Sequence, residues 1–312
     1  MGKTLENIFN WIRKHTPLWL HWKMGPVVAK GVYLFRMHIL GNKDAPKVLS
    51  ASDTLDLIVK DNLSVIRFGD GEMTIMEGDN LGFQKTNPEL AKRLKEIIQV
   101  DLPGLLICVP DFFGKLEGLV HFAYTFALHH QFRYRRKWLV LLSQNRVYGE
   151  TGMTRPYLGY DENARKHSGK IFRKIFLLWK GKEVVLIEGS KSRLGVGNDL
   201  FKDAVSVNRI LCPPENAFDR YNEILAEALK TGKDKLILLS LGPTAKLLGY
   251  DLFINGYRVI DIGHVDMEYE MYLRKEPAQT KVKYKYFNEI SERNPEECSE
   301  PEYLSQIIAK IL

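Results

Sequence analysis

Short, continuously apolar segments alternate with helical patterns from residue 52 onward, and this alternation is the strongest constraint on the fold. Segments such as Val184-Val185-Leu186-Ile187 and Leu236-Ile237-Leu238-Leu239 have no polar face, as is typical of strands in a sheet covered on both sides. The strand candidates are 63–68, 105–109, 138–142, 183–187, 208–212, 235–239 and 257–262, and the helical patterns between them are 88–99, 115–130, 163–178, 198–204, 216–230 and 243–254. Regular β-α alternation predicts an α/β fold with a mostly parallel sheet and helices on both faces.

The two ends of the chain differ from this central part. Residues 1–45 predict a basic, amphipathic helical N-terminal extension, with one helix marked by Leu5, Ile8, Phe9 and Ile12 and a second over 27–40. Residues 46–275 form the predicted main domain. Residues 276–312 predict a polar loop and a C-terminal helix that packs on the domain, with an apolar stripe of Leu304, Ile307, Ile308 and Ile311.

Charge is concentrated at the N-terminal end. Residues 1–40 hold six Lys or Arg and one acidic residue, which is +5 of the net charge of +7. Tryptophans and basic residues beside an apolar stripe are typical of a helix at an anionic membrane surface, which predicts peripheral membrane contact through residues 1–24. The alternative is a helix that packs on the enzyme body or on a second subunit. The remaining 272 residues carry only about +2, which argues against nucleic acid as a partner.

The cysteines and the hydropathy pattern predict a compartment. Cys108, Cys212 and Cys298 form neither a zinc pattern nor a disulfide framework, which favours a reducing environment. No apolar run reaches the ~20 residues of a transmembrane helix, and the N-terminus lacks the pattern of a signal peptide. We therefore expect a cytoplasmic protein with residues 1–24 at the inner face of the cell membrane.

The segment Ser64-Val65-Ile66-Arg67-Phe68-Gly69-Asp70-Gly71-Glu72 joins a predicted strand to a pair of carboxylates. Its two glycines permit a tight turn on which Asp70 and Glu72 can converge. Two carboxylates suit Mg²⁺ or Mn²⁺ holding a diphosphate, because such ions keep coordination positions open for phosphate oxygens. Arg67 can add a bidentate donor with a fixed positive charge. The alternative is a solvated acidic turn, since Asp-Gly is also a turn signal.

Polar segments follow several other predicted strands. They are Ser143-Gln144-Asn145-Arg146, with Thr154-Arg155-Pro156-Tyr157 further on, and the segments 188–199, 240–244 and 263–268. In a parallel sheet these segments emerge together at the carboxyl edge, where ligands bind. This convergence argues against a merely solvated turn at Asp70.

Two of these segments suit a polyanion. Gly195-Val196-Gly197-Asn198, before a predicted helix, can present backbone N–H groups to phosphate, and Arg193 can reinforce them. The segment is neither a dinucleotide-binding fingerprint nor a P-loop. Gly242-Pro243-Thr244 begins a second helix and adds a hydroxyl group.

His264, Asp266 and Glu268 alternate along the chain, so they share one face if the segment is extended. Such a group can supply a metal ligand, a general base or hydrogen bonds to a sugar. The alternative is a structural role, which is common for a buried histidine.

The chain resembles the GT-D type glycosyltransferases, a bacterial domain long described as of unknown function. The resemblance runs from about residue 50 to 275 and rests on 67–72 (Arg-Phe-Gly-Asp-Gly-Glu), on Arg193-Leu194-Gly195-Val196-Gly197-Asn198-Asp199-Leu200-Phe201, on 239–246 and on 261–270. It implies a Rossmann-like domain that uses a nucleotide-sugar donor, with Asp70 and Glu72 holding Mn²⁺ or Mg²⁺ against the diphosphate.

The resemblance implies a metal-dependent glycosyltransferase that moves a hexose-type sugar from a nucleoside-diphosphate sugar to a bacterial glycan or glycosylated acceptor. We expect the catalytic residues to be His264, Asp266 and Glu268, and the nucleotide sugar to bind at Arg67, Gly69, Arg155, Arg193, Gly197, Asn198, Asp199, Gly242 and Thr244. Two alternatives remain: a metal-dependent nucleotide phosphohydrolase and a non-catalytic binding module for anionic polymers.

Overall fold

The computed structural model describes residues 18–38, 42–286 and 294–312, with side chains in the first helix described from residue 27 onward. The helices are α1 (Leu18–His38), α2 (Ala51–Asp61), α3 (Asp70–Met76), α4 (Pro88–Ile97), α5 (His121–Leu141), α6 (Glu162–Arg165), α7 (Ser168–Phe176), α8 (Tyr221–Ala228), α9 (Thr244–Ile254), α10 (Val265–Arg274) and α11 (Pro301–Ser305). The strands are β1 (Lys47–Val48), β2 (Ser64–Arg67), β3 (Leu105–Val109), β4 (Val147–Glu150), β5 (Glu183–Gly189), β6 (Ser206–Cys212), β7 (Leu236–Ser240), β8 (Arg258–Asp261) and β9 (Ile307–Lys310). Outside the described part lie the predicted stripe of Leu5, Ile8, Phe9 and Ile12 and the side chains of Trp11, Trp19 and Trp22.

The strands form one sheet in the order β1-β4-β3-β2-β8-β7-β5-β6-β9, and each neighbouring pair is parallel. Successive residues of a strand point to opposite faces of the sheet. Ile66 and Ile187 thus join an apolar cluster with α4 and α9, whereas Val65 and Leu186 join a second cluster with α2 and α7. The predicted α/β sheet with helices on both faces is confirmed, and α1 provides a helical N-terminal region.

The carboxyl ends of β2 and β8 lie side by side near the middle of the sheet. Val65 pairs with Ile260, and the chain leaves β2 toward β3 but leaves β8 toward the opposite edge, where β9 lies. In an open parallel sheet, the crevice at such a reversal is where ligands bind. The loops after β2 and β8 carry Asp70 and His264, so the fold brings both predicted segments to one crevice.

The predicted strand at 138–142 is wrong, because residues 138–141 form the last turn of α5 and the strand follows at Val147–Glu150. Tyr134 and Trp138 are both buried and stand four residues apart, as on one face of a helix. A short apolar run does not distinguish a strand from a buried helical turn. As a result, 143–146 precedes β4 and lies at the amino edge of the sheet, away from the crevice.

Two predicted helices also differ from the structure. Residues 198–204 form turns, because Gly195 and Gly197 have φ angles of +75° and +80°, outside the helical range, and the turn continues past them. The helix predicted from Pro301 ends at Ser305, and Ile307–Lys310 form strand β9 beside β6. The β-branched pair Ile307 and Ile308 favours a strand over a longer helix.

Candidate functional site

A cavity of about 270 Å³ opens at the carboxyl edge of the sheet, among the loops that follow β2, β4, β5, β6, β7 and β8. The predicted site residues that line it are Arg67, Gly69, Asp70, Glu72, Arg155, Gly242, His264 and Asp266. The predicted residues that lie outside its lining are Arg193, Gly197, Asn198, Asp199, Thr244 and Glu268.

Asp70 and Glu72 are the first and third residues of α3, and they have different environments. Gly69 is the N-cap, and its N–H donates to Glu72 Oε2 at 2.7 Å, which bends the Glu72 side chain back over the helix start. Glu72 is buried, whereas Asp70 is exposed at the cavity. The segment that was expected to form a tight turn is therefore the start of a helix. Asp70 meets the cavity at the surface, and Glu72 meets it from within the buried floor.

Four charged side chains alternate in sign along the cavity floor. Lys246 Nζ lies 2.9 Å from Glu72 Oε1 and 3.0 Å from Asp261 Oδ2. Arg67 lies on the other side of Asp261, with Nη2 3.1 Å from Oδ1 and Nε donating to the Asp261 carbonyl at 2.7 Å. We call Arg67, Asp261, Lys246 and Glu72 the floor network. All four are buried, so solvent screens the attraction between neighbouring members only weakly.

The pKa values within the floor network follow from this arrangement. Burial alone would raise the pKa of Asp261, but Arg67 and Lys246 hold it below its ordinary value. Burial alone would lower the pKa of Lys246, but Asp261 and Glu72 raise it above its ordinary value. Asp261 and Lys246 therefore both stay charged near neutral pH.

The turn after β8 is close to Arg67. Gly263 has a φ of +44°, and a Cβ on it would lie 1.9 Å from Arg67 Nη2, so only glycine fits. The helix α10 then begins at Val265 with His264 as its N-cap. The expectation that His264, Asp266 and Glu268 share one face of an extended segment is wrong, because residues two apart on a helix point in nearly opposite directions.

Asp266 remains at the cavity wall, where its carboxylate is held by several donors. Oδ1 accepts from the Gly195 N–H at 2.9 Å and from Asn198 Nδ2 at 2.8 Å. Lys285 Nζ approaches Oδ1 and Oδ2 at 3.0 and 2.7 Å and also contacts Glu270 Oε1 at 3.1 Å. Since Lys285 is buried as well, these contacts hold the Asp266 side chain in one orientation.

Glu268 lies behind the cavity wall. It accepts from the Tyr157 and Leu158 N–H groups, both at 3.0 Å, and its Oε1 lies 3.3 Å from Arg155 Nε. Burial raises the pKa of Glu268, although Arg155 and the two N–H groups oppose the shift. Glu268 thus orients Arg155, which does line the cavity.

The loop 193–199 reaches the cavity at Leu194, and its other residues support the wall from behind. Arg193 is buried and donates to the carbonyls of Tyr284 and Glu296 at 2.7 and 2.6 Å. Asp199 accepts from the Tyr269 hydroxyl at 2.6 Å. Gly197 has a φ of +80° and shapes the same turn. This loop therefore anchors Asp266 and the segment around Tyr284.

The opposite wall of the cavity is apolar, and its members are Leu81, Phe83, Pro213, Pro214, Ala217 and Leu241. Phe83 packs closely on the turn after β7: a Cβ added to Gly242 would lie only 2.7 Å from the Phe83 ring. The Asn216 N–H donates to the Phe83 carbonyl at 2.9 Å, which joins the two loops of this wall. Thr244 is fully buried behind it, with its hydroxyl 3.4 Å from Gln84 Oε1.

Sequence reasoning missed Lys246, Asp261, Lys285 and the apolar wall. For Lys246 a signal was present, since it is the one charged residue in the apolar stretch Thr244-Ala245-Lys246-Leu247-Leu248. Asp261 likewise ends a buried strand. A charge inside a buried element needs a partner, and that requirement marks it as part of a network. Lys285 has no such signal, because it comes from a polar segment.

The donor set fits a hard divalent cation in part. Within the described residues, no group of three or more His, Cys, Asp or Glu side chains is placed to hold a metal ion. Mg²⁺ in phosphate-transfer sites is commonly bound by one or two carboxylates, with phosphate and water completing the shell. Asp70 and Glu72 match that requirement in the number and type of ligands, and each Glu72 oxygen keeps a lone pair beside its bond to Gly69 or Lys246.

Comparison with known families gives one match over most of the chain. The family described as "Glycosyltransferase GT-D fold" matches residues 65–290. The solved structure described as "The highly conserved domain of unknown function 1792 has a distinct glycosyltransferase fold" is 39% identical with a TM-score of 0.81, covering 86% of this chain and 97% of that chain. A second, described as "A New Glycosyltransferase (DUF1792) from Streptococcus sanguinis", is 36% identical with the same TM-score, covering 86% and 100%.

Two curated relatives are similar over a comparable span. Glycosyltransferase GlyD of Streptococcus pneumoniae is 37% identical over 273 residues, and Probable glycosyl transferase Gly of Streptococcus gordonii is 37% identical over 266 residues. The alignments cover 86% and 85% of this chain but 33% and 39% of those proteins. The chain therefore spans between about a third and two fifths of the length of these relatives.

Proposed function

The chain belongs to the GT-D family of glycosyltransferases, and from this premise we propose that it transfers a hexose-type sugar from a nucleoside-diphosphate sugar to a bacterial glycan or glycosylated acceptor. The observation that carries the proposal is that one cavity has a charged floor and an apolar wall. A nucleotide sugar has the same division, with a flat base at one end and a diphosphate linked to a polar sugar at the other.

The base would lie against the apolar wall, where Phe83 offers a half-buried ring. The diphosphate would lie between Arg155 and the turn at Gly242, at the amino end of the 11-residue helix α9. Backbone N–H groups at a helix start and an arginine side chain both favour phosphate. In this arrangement Arg193, Gly197, Asn198, Asp199 and Thr244 act as supports rather than as contacts to the donor.

We propose that the reaction depends on Mn²⁺ or Mg²⁺. Asp70 and Glu72 would hold the ion, and when bound it would offset the negative charge that develops on the leaving diphosphate. Lys246 and Gly69 would keep the Glu72 carboxylate in place for this task.

The sugar would lie on the side of His264 and Asp266. Asp266 already accepts from several donors, so it suits hydrogen bonding to sugar hydroxyls better than uptake of a proton. His264 is the remaining proposed catalytic group, either as a base for the acceptor hydroxyl or as a hydrogen-bond partner of the sugar. Glu268 would act through Arg155 as a positioning residue.

We also propose that residues 1–24 bring the protein to an anionic membrane surface. The six Lys or Arg residues within 1–40 and the three tryptophans there support this idea. Within the part of the chain that the structure describes, no helix combines the length and apolarity needed to cross a membrane.

A donor screen tests the proposed function directly. The purified protein is incubated with a panel of nucleotide sugars and Mn²⁺, with and without acceptor glycans, and the products are separated by chromatography. We expect transfer of sugar to an acceptor and release of the nucleoside diphosphate. Free sugar or phosphate formed at the same rate without acceptor would favour a phosphohydrolase. Salt-sensitive polymer binding that survives Asp70→Asn, without turnover, would favour a binding module.

A further inference from the structure

Helices α1 and α5 pack side by side on one flank of the molecule and contain no acidic residue. Their apolar contact is formed around Ala29 of α1 and Ala127 and Leu128 of α5. Together the two 21-residue helices carry seven Lys or Arg residues and no Asp or Glu. The 312-residue chain holds 45 basic and 38 acidic residues, so this flank departs strongly from the composition of the rest.

The solvent side of both helices is unusually apolar. On α5, Phe122, Phe126 and Val140 are 63%, 45% and 77% exposed, and their spacing of four and fourteen residues places them on one helix face. On α1, Val27 is 69% exposed, and Leu34 and Phe35, seven and eight residues later and thus about two turns on, are 40% and 39% exposed. We call these six side chains the α1/α5 face.

Phe126 is held in place from below. Its ring meets Phe112 edge to face, with centroids 5.9 Å apart, and also lies 5.9 Å from the buried ring of His130. Phe122 stands one turn earlier on α5 and is the more exposed of the two. Two ordered aromatic rings presented to solvent are typical of a binding surface rather than of scattered surface residues.

Basic residues accompany the α1/α5 face. Lys30 and Arg136 are exposed, and in residues 18–38, 42–286 and 294–312 the structure shows no ion pair for either. Arg133 and Lys137 lie nearby on α5 and face Asp79 and Glu77 of the segment after α3. The unpaired positive charges therefore lie among the exposed apolar side chains.

We propose that the α1/α5 face docks on the surface of an anionic phospholipid membrane. Aromatic and aliphatic side chains enter the boundary between headgroups and acyl chains, while Lys and Arg beside them pair with lipid phosphates. A second copy of the chain is a less suitable occupant, because Lys30 and Arg136 stand among these apolar side chains in each copy and a symmetric contact would bring like charges together. The surface is separate from the cavity, and α1 precedes the family match at residues 65–290.

Docking through this face would also bring the site toward the membrane. The helix α5 begins 12 residues after β3 ends, on the carboxyl side of the sheet, so Phe122 and Phe126 stand at the end nearest the cavity loops. An acceptor carried on a lipid would thus meet the cavity edge. This consequence rests on the proposed function, whereas the docking itself does not.

Sedimentation with vesicles tests the proposal on the full chain. Wild type, Phe122→Ser/Phe126→Ser and Lys30→Glu/Arg136→Glu are mixed with phosphatidylcholine vesicles, with or without phosphatidylglycerol. Val205→Ser/Ile254→Ser is the matched control, since these side chains are 67% and 56% exposed elsewhere on the surface. Trp11→Ser probes the N-terminal segment separately. Thermal unfolding and turnover with a soluble acceptor confirm that each variant is folded.

We expect wild type and the control to sediment with phosphatidylglycerol vesicles and to stay in solution with pure phosphatidylcholine. Lys30→Glu/Arg136→Glu should lose about tenfold or more in partitioning, because each basic residue near an anionic surface contributes about fivefold. Phe122→Ser/Phe126→Ser should lose about as much, because two aromatic side chains no longer enter the membrane boundary. Partitioning of the face variants equal to that of wild type would overturn the proposal, and loss in Trp11→Ser alone would assign the contact to the N-terminal segment. A wild-type protein that is dimeric and does not bind vesicles, together with a monomeric Phe122→Ser/Phe126→Ser variant, would overturn the proposal in favour of self-association.

Discussion

Asp70 and Glu72 are only two residues apart, yet the structure gives them different tasks. Glu72 closes the helix start on Gly69 and neutralises Lys246, so it has a structural role as well as any role in the reaction. Asp70 stands exposed at the cavity, where removal of its charge changes little in the core. The same chemical change at the two positions should therefore separate activity from stability.

We predict that Asp70→Asn lowers turnover at limiting Mn²⁺ by at least ~100-fold. The free energy of unfolding should fall by no more than about 1 kcal/mol, the usual cost of losing an acidic charge in the first turn of a helix. Glu72→Gln should lose turnover and also about 1–3 kcal/mol of stability, because Lys246 keeps a buried charge with one partner fewer. Initial rates over a range of Mn²⁺ concentrations and urea unfolding measure the two effects. Wild-type rates in Asp70→Asn at limiting Mn²⁺ would show that the metal assignment is wrong.

His264 and Asp266 are the proposed catalytic residues that line the cavity, and His264 is the one to which we assign a role at the acceptor hydroxyl or the sugar. We predict that His264→Ala reduces turnover by about 100-fold, the usual effect of losing an acid–base or positioning group. Affinity for the nucleoside diphosphate should change less than threefold, because the proposed phosphate contacts lie on other loops. Steady-state kinetics and calorimetric titration test both halves. Unchanged turnover would remove this residue from the site.

Gly263 couples backbone conformation to the floor network. We predict that Gly263→Ala destabilises the protein by about 2 kcal/mol or more, because the new Cβ would overlap Arg67 Nη2 in a left-handed turn. Gly181→Ala is the matched control, with a φ of +67° but no atom within 4 Å of the added Cβ, so only the conformational cost of about 1 kcal/mol remains. Equal losses of stability in urea unfolding would contradict the predicted overlap.

At the scale of elements, α5 contains a titratable group that makes stability depend on pH. Burial, with a contribution from Arg133, lowers the pKa of His130 to about 4. The neutral ring accepts from Trp138 Nε1 at 2.8 Å, so its nitrogen must keep a lone pair. A histidine in the unfolded chain has a pKa of about 6.5, so between about pH 6.5 and 4 it binds a proton in the unfolded state but not in the folded state. Its contribution is fully present above about pH 6.5 and is lost as the pH falls toward 4.

We predict that the free energy of unfolding drops by up to about 3 kcal/mol between pH 7 and pH 4 because of His130 alone. His130→Gln keeps an acceptor for Trp138 but does not titrate, so its stability should fall less over the same range. The difference between the two proteins in urea unfolding isolates this contribution from other acid-sensitive groups. Parallel curves for the two proteins would contradict it.

The elements that sequence patterns predicted correctly are those with a strong local signal. The central strands β2, β3, β5, β6, β7 and β8 are short apolar runs between turn residues, and each lies close to its predicted position. The strand predicted at 138–142 and the helices predicted at 198–204 and beyond Ser305 failed because tertiary contacts decided them. Trp138 lies in a helix because its side chain packs into the apolar core there, and Ile307 lies in a strand because β9 pairs with the edge of β6.

The site follows the same division. The carboxyl edge and its loops could be predicted from the strand pattern, and eight proposed residues line the cavity, such as Asp70 and His264. The direction in which each side chain points could not be predicted from the strand pattern, because it depends on the local conformation of the loop after the strand. Asn198 illustrates this, since its amide binds Asp266 and Glu270 instead of facing a ligand. Lys285 joins the site through contacts that no local pattern encodes.

At the scale of the whole molecule, a ligand that spans the cavity should stabilise the fold. We predict that a nucleoside diphosphate with Mn²⁺ raises the Tm, since binding to the native state alone adds about 2.7 kcal/mol at a ligand concentration of 100 times Kd. Removal of Mn²⁺ with EDTA, or the Asp70→Asn substitution, should abolish most of the rise. A shift of the same size without metal would support nucleotide binding but not the metal site.

The pairing of β2 with β8 has a consequence for how the protein reaches its working state. Arg67 and Asp261, which meet in the cavity floor, are 194 residues apart in the chain. Closing so long a loop is entropically expensive, and contacts of this range form late in folding. Neither half of the sheet alone contains a complete floor, so an intermediate with one half folded has no catalytic centre. Recovery of activity during refolding should therefore lag behind recovery of helix content, and turnover becomes a readout of completed assembly.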